Sequence, residues 1–508
     1  MYDCILINPR SIYYSKEQQS SPYPYAGLLS IGSFLCSKEW KTIILDMVLD
    51  DEPIKLFDDT IKNNPNQIIL VGFSVMTSQV AHAARLSKYI KTKYPFISII
   101  WGGIHPSLFP EDVLKSGFVD YVCIGEGEHT THELLHTLKN KSDVNKVNGL
   151  CFLDNNKFVQ TKPRPCHDLN ELPYFNYDIF NYSRYKRRLV YRGDETMEVN
   201  FGVMLTSFGC PYRCTFCINS NKKLFFGKYR SKSVRRICDE IEHLITNYSV
   251  NFFDFVDEDF FIKRSNIENF ISEIKNRKLV FKWMASIRAD AFDKKIVDSD
   301  MLVRLKDIGC YRLAIGAESG SQQILNKLKK DITVEQIYKS AELITSCGIG
   351  TTFSFMMGIP GETKSDILCT LKMIRRLKSI SDILSVVGPQ IFRPYPGGEL
   401  YEECINIYHY SQPKTVEEWT NSMDILTGFD TIDKLIWIHD KNFVRKISFY
   451  MDFVNLNIFS LKVGYLKKIL LILMQKISEL RMRIQFWSFP IDMILIMLFK
   501  KVKRSKFK

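Results

Sequence analysis

The run VMLTSFGCPYRCTFC, residues 203–217, decides how the rest of the chain is read. It begins as a short apolar strand and ends in Cys210, Cys214 and Cys217, a Cys-x3-Cys-x2-Cys spacing on one tight loop. Three thiolates so placed can ligate three irons of a 4Fe–4S cluster, whereas a fully ligated structural cluster takes four. The next cysteine, Cys238, lies 21 positions on (217 to 238), so one iron is left open to an outside ligand. Zinc would ask for a fourth donor, usually from a second cysteine pair downstream, and the sequence has no such pair.

Working outward, residues 201–400 alternate strand and helix. Strand patterns fall at 203–208, 252–258, 281–287, 311–319, 351–360 and 386–396. Six such units predict an open or partial βα (TIM-like) barrel, whose chemistry belongs at the C-terminal strand ends. Upstream, residues 1–145 carry five apolar runs at 4–8, 42–47, 69–74, 97–103 and 121–125, each closed by Gly, Ser, Asn or Asp. Helical stretches at 27–38, 58–63, 79–93, 110–116 and 128–138 separate them. This is an α/β pattern, and it predicts a doubly wound, flavodoxin-like parallel sheet. Residues 146–200 read as a connector with a hairpin (150–153 and 157–160) followed by the Pro-rich TKPRPCHDLNELPYF. Residues 401–508 read as a helical, increasingly basic C-terminal region.

The cysteine spacing, with Phe216 directly before the third cysteine, resembles the radical S-adenosylmethionine (radical SAM) enzymes. The surrounding runs resemble the subgroup with an N-terminal cobalamin-binding domain. These are GGIHPS (102–107), VDYVCIGEGE (119–128), YRSKSV (229–234), FVDEDFF (255–261), IGAESGSQQIL (315–325), MMGIPGET (356–363) and FRPYPGGELY (392–401). The resemblance implies a 4Fe–4S cluster on Cys210, Cys214 and Cys217, whose open iron binds S-adenosylmethionine. Reductive cleavage then gives a 5′-deoxyadenosyl radical, with the hard chemistry carried by the cofactors. It places Phe216 near the adenine, Asp257 or Glu258 on the methionine amino group, and Glu318 as a further polar contact. Arg288 is expected as a carboxylate partner, since a guanidinium binds carboxylate bidentately. Gly358 in GIPGE is either a ligand-facing turn or a turn that simply needs glycine.

At the C-terminal ends of the first five strands stand NPRS, SVMTSQ, GGIHPS and GEGEHT. Ser74, Thr77 and Ser78 offer hydroxyls there, and Gly102, Gly103, Gly125, Glu126 and Gly127 form turns that allow close backbone approach. This cleft resembles the subgroup's cobalamin pocket. The Asp-x-His-x-x-Gly motif of better-known cobalamin domains is replaced by NPRSIYYS, so cobalt is expected without a histidine tail ligand. His105 is the one substitute, in a turn that reads first as a shaped loop. The expected reaction is methylation of an unreactive carbon of a small-molecule or lipid-like substrate. Cyclisation or rearrangement, methylthiolation, a cobalamin-free scaffold domain and a non-enzymatic sensor are the alternatives. Cys4 and Cys36 fall on a strand and a helix, which speaks against the second cluster that methylthiolation needs.

The 508 residues carry a formal net charge of +13. Residues 441–508 hold 15 Lys+Arg and 3 Asp+Glu, a net of +12, so the first 440 sum to 13 − 12 = +1. Nucleic acid is therefore not an expected partner, despite the basic total. Thirteen scattered cysteines and a start (MYDCILINPR) that runs straight into a strand pattern point to a reducing cytoplasm. A flavodoxin or ferredoxin is the expected electron donor. In the tail, the longest apolar run (484–499) is 16 residues and contains Gln485, Ser488, Pro490 and Asp492. That is too short and too polar to span a bilayer, which needs about 20. The tail reads either as a cap on the barrel or as a helix lying peripherally on an anionic membrane.

Overall fold

CILIN forms β1 (Cys4–Asn8), buried along its whole length, as a central strand covered on both faces must be. The computed structural model of the chain describes residues 2–11, 24–50, 52–63, 65–191, 195–221, 229–425, 431–455, 464–488, 490 and 493. β1 pairs in parallel with β2 (Thr42–Asp46) and β3 (Leu70–Ser74), and the sheet continues through β4 (Ser98–Gly102) and β5 (Tyr121–Cys123). The parallel order 2-1-3-4-5 is the flavodoxin-like one. The predicted hairpin, β6 (Leu150–Asp154) and β7 (Lys157–Gln160), turns on Asn155 and Asn156 with φ of 46° and 62°, as a two-residue type I′ turn requires. It joins this sheet antiparallel to β5. The second helix starts at Pro53, five residues before the expected 58, because proline suits the first helical position.

The second sheet is the partial barrel. Its parallel strands are β9 (Glu195–Met204), β12 (Phe252–Phe255), β13 (Lys282–Ser286), β14 (Cys310–Glu318), β15 (Gly350–Met357) and β16 (Leu384–Ile391). An unpredicted strand, β8 (Lys186–Tyr191), pairs antiparallel with β9 at the edge. A two-residue pair, β10 (Ser207–Phe208) with β11 (Arg230–Ser231), follows β9. Phe253, Phe255 and Trp283 pack outward into the main core with Ile237, Ile241 and Phe270 of the helices Val234–Tyr248 and Arg264–Arg277. On the other face, Val199, Phe201 and Phe252 cluster with Met284 and Tyr311 toward the N-terminal ends of the strands. The C-terminal strand ends are left for chemistry.

The C-terminal helices brace both sheets. Helix Val416–Ile425 places Trp419 against His105 and Phe109 of the first domain, with ring centroids 5.2 Å apart in both cases. Trp437 donates from Nε1 to the Gly358 carbonyl at 2.7 Å. Helix Lys441–Val454 packs on β16 and on helix Tyr465–Ile484, and Trp487 meets Phe443 and Tyr450. Among the described residues no helix is long and apolar enough to cross a membrane. Most of the 484–499 run and the polybasic end lie outside the described residues.

Candidate functional site

The cysteine loop leaves β9 through Thr206 and Ser207, and Asp257 at the end of β12 fixes that exit. Asp257 Oδ1 accepts from the Thr206 amide at 3.1 Å, from Thr206 Oγ1 at 2.9 Å and from Ser207 Oγ. Burial outweighs these bonds and pushes the Asp257 carboxyl up to about 6. Gly209 then turns with φ 80° into Cys210. The loop is held on its far side by the Thr215 amide, which donates to Leu328 O at 2.9 Å, and by Thr215 O, which accepts from Leu400 N at 2.9 Å. Gly398 lies so close that a Cβ there would stand 2.7 Å from Thr215 O. None of the three cysteines is in a disulfide, and Cys214 is buried. Burial pushes Cys210 up to about 11, with smaller contributions from Asp259, Cys217 and Cys214.

Around the loop, charges come in pairs. Arg288, just past β13, stacks its guanidinium 3.7 Å from the Tyr212 ring centroid, inside the cysteine motif. It is buried, it bonds Asp290 at 3.1 and 3.3 Å, and it also donates to Lys330 O, so it is engaged rather than open. Glu318, closing β14 with φ 64°, meets Lys330 Nζ at 3.0 Å. Lys330 also stands 5.8 Å from the Phe216 ring and is felt electrostatically by Cys217 and Asp259. Gly316 makes room for this pair, since a Cβ there would lie 2.3 Å from Glu318 Oε1 and 2.9 Å from Lys330 Nζ. Of the two candidate acids for an amino group, Asp257 is turned into the loop, while Glu258 is exposed. Asp259 is buried, accepts from the Phe261 amide, and is pushed up to about 7 by that burial. Gly358 faces the C-terminal region: its amide and that of Ile359 donate to Glu362 Oε2, and a Cβ there would strike Ile438.

In the first domain, Ser74 Oγ bonds Tyr25 OH at 3.4 Å, while Thr77 and Ser78 are buried. Gly103 takes φ 97°, and a Cβ there would lie 3.0 Å from the Val75 amide and carbonyl; Gly125 is exposed with φ 83°. Gly102 ends β4 partly buried. Gly127 precedes helix Glu128–Asn140, and a Cβ there would meet Ile31 at 2.7 Å, so its glycine serves helix packing. His105 is fully enclosed between Phe109 and Trp419, with Nδ1 3.4 Å from Thr77 Oγ1, and burial depresses it to about 3. Glu126 is drawn away from the cleft into an ion pair with Arg230 and lies 3.0 Å from His167 Nδ1.

The two domains meet at the cysteine loop. The Cβ position of Gly397 is 2.2 Å from Ile218, next to Cys217, and 3.5 Å from Leu108, the last residue of the short helix Ile104–Leu108 after β4. Arg230, paired with Glu126, sits 5.7 Å from the ring of Phe208, two residues before Cys210. Lys330, Gly316, Tyr212, Arg230 and Gly398 were not singled out by sequence reasoning. Tyr212, Gly316, Arg230 and Gly398 lie inside quoted motif runs, which was their one signal; Lys330 has none.

The donors fit the implied groups. Among the described residues no three His, Cys, Asp or Glu side chains converge on a single ion. A cubane instead takes each thiolate on a different iron, which three cysteines outside any disulfide and spread over one loop can satisfy. Paired acids and cations suit a zwitterionic amino-acid moiety. The strand ends of the first sheet, with Gly125 exposed and His105 sealed away, suit a corrinoid held without an imidazole ligand. Two family models match: the B12 binding domain over residues 20–135 and the Radical SAM superfamily over 204–374. The chain is 29% identical over 375 residues to an uncharacterised methyltransferase of Pyrococcus horikoshii, covering 71% of this chain and 77% of that protein. Its fold is similar to the cobalamin-dependent S-adenosylmethionine radical enzyme OxsB with aqua-cobalamin and S-adenosylmethionine bound (TM-score 0.60, 21% identity), covering 80% of this chain and 56% of that one. It is also similar to the radical S-adenosylmethionine methyltransferase TsrM of Kitasatospora setae (TM-score 0.64, 16% identity), covering 81% and 77%. With both domains matched in order and the three cysteines inside the second, the chain belongs to the radical S-adenosylmethionine enzymes that carry an N-terminal cobalamin-binding domain.

Proposed function

We propose that this enzyme is a cobalamin-dependent methyltransferase that methylates an unreactive carbon of a small-molecule or lipid-like substrate in a reducing, cytoplasmic compartment, drawing electrons from a flavodoxin or ferredoxin. The observation that carries the reading is the junction at Gly397, which sets the short helix Ile104–Leu108 after β4 against the residue following Cys217. Methyl donor and radical source must act on one substrate, so their two sites must abut. When bound, the cluster and S-adenosylmethionine supply hydrogen abstraction and the corrinoid supplies the methyl group.

The chain's own residues bind and orient. Asp257 sets the exit of the cysteine loop, and Arg288 clamps Tyr212 within it. Lys330, keeping Glu318 beside it, would hold the carboxylate of S-adenosylmethionine, and the exposed Glu258 would take its ammonium. Cys4 and Cys123 argue against methylthiolation: both are buried core residues within strands β1 and β5 of the first sheet.

Anaerobic reconstitution tests the proposal. The wild type is expected to bind about four iron, to show bound-corrinoid absorbance and to release 5′-deoxyadenosine under reduction. Cys214→Ala should lose the cleavage. Lys330→Met should keep its iron and need at least about tenfold more S-adenosylmethionine, the effect of removing one partner of a buried charge pair. Full cleavage by Cys214→Ala, or an absence of corrinoid from cluster-loaded protein, overturns the corresponding half.

A further inference from the structure

Helix Tyr465–Ile484 is apolar on two opposite faces. Met474, Ser478 and Met482, spaced four apart, are buried in the core beside helix Lys441–Val454. On the far side, Ile469, Leu473, Leu480 and Ile484 form a second stripe, 45–58% exposed, with Leu470 and Phe486 beside it. A helix that caps a soluble body presents a polar outer face, which this one does not. Exposed Lys476 and Arg483 border one edge of the stripe, while Arg481 at the other is turned to the carbonyls of Phe486 and Ser488 and the Tyr450 ring. The helix holds five Lys+Arg against Glu479 alone, and the last nine residues of the chain hold six Lys+Arg.

We propose that this outer stripe docks on an anionic lipid surface, with the helix lying in the interfacial plane. The apolar residues enter the acyl boundary while the flanking Lys and Arg meet anionic headgroups. A second copy of the chain is the poorer occupant, because two stripes meeting face to face would bring together two helices that each carry a net charge of 5 − 1 = +4. An anionic bilayer accepts both the apolar stripe and its charge. Among the described residues nothing crosses a membrane, so the contact is peripheral.

Co-sedimentation of the full-length, cluster-reconstituted protein with vesicles is the test. Vesicles of phosphatidylcholine mixed with phosphatidylglycerol should pellet the protein, phosphatidylcholine alone should not, and half-molar salt should release much of it. Leu473→Glu/Leu480→Glu should lower binding by roughly tenfold or more, with S-adenosylmethionine cleavage unchanged. Leu473→Gln/Leu480→Gln should do the same should the charged pair not fold. Absence of binding to either vesicle, or variants that bind as well as the wild type, overturns the proposal. A wild-type dimer that the substitutions make monomeric, without lipid binding, overturns it in favour of an interface between copies.

Discussion

Glu362 shows how one residue can hold a motif in shape. It stands in the run MMGIPGET, where its Oε2 collects the amides of Gly358 and Ile359 while Oε1 has no hydrogen-bond partner among the described residues. Burial pushes its carboxyl up to about 8, against roughly 4.3 in an unfolded chain. Between those values the folded protein holds a proton that the unfolded chain releases. The contribution to stability is therefore complete below about pH 4.3 and is lost as the pH rises through 8. Glu362→Gln keeps the shape and the amide acceptor and removes the titration. Its unfolding midpoint should pull ahead of the wild type as pH goes from 5 to 8.5, by about 1–3 kcal/mol. Thermal unfolding at pH 5, 7 and 8.5 reads this, and parallel pH profiles for the two proteins would refute it. Sequence showed the turn but not its filling. Cys210, Cys214 and Cys217 are legible because they neighbour one another in the chain. Glu318 and Lys330 meet only after a strand end and a short helix have folded back, and no local pattern announces the contact.

At the scale of elements, the segment from Gly397 to Leu400 acts as a strap across the cysteine loop. Gly398 sits where a Cβ would be 2.7 Å from Thr215 O, which is backbone and cannot swing aside. Gly398→Ala must therefore shift either the strap or the loop, at a cost of about 1–3 kcal/mol. Iron per reconstituted chain should fall well below the wild type. Gly464→Ala, where a Cβ would meet nothing within 4 Å, should bind iron normally. Equal iron in Gly398→Ala would show that the strap does not position the loop. Strands and their order were legible because buried parallel strands are short apolar runs ended by turn residues. β8, the charged KRRLVY, was not, since an edge strand is stabilised by its ladder to β9 rather than by its composition. The 397–400 strap could be quoted as part of a motif, but its seat on Thr215, some 180 positions earlier, is a tertiary fact.

At the scale of the molecule, Arg230 is central to the polar contacts that tie the two domains among the described residues. One of its nitrogens pairs with Glu126 after β5, another donates to His167 O at 2.6 Å, and the guanidinium faces Phe208 beside the cysteine loop. The side chain thus links the strand ends of the first sheet to the strand that carries the cluster ligands. Glu126, drawn into this pair, holds domains together rather than facing the cleft. Arg230→Ala leaves the partly buried Glu126 with His167 alone and should cost about 1–3 kcal/mol, below the range for a fully buried pair because both partners keep some solvent contact. The loss falls on the interface and not on either core. Corrinoid absorbance and iron content should therefore persist while thermal unfolding separates from one transition into two. Arg230→Lys should recover only part of the coupling, since lysine restores the charge but not the fork that reaches Glu126 and His167 together. A single transition at the wild-type midpoint in Arg230→Ala would mean that apolar packing such as Trp419 on His105 holds the domains in register without it.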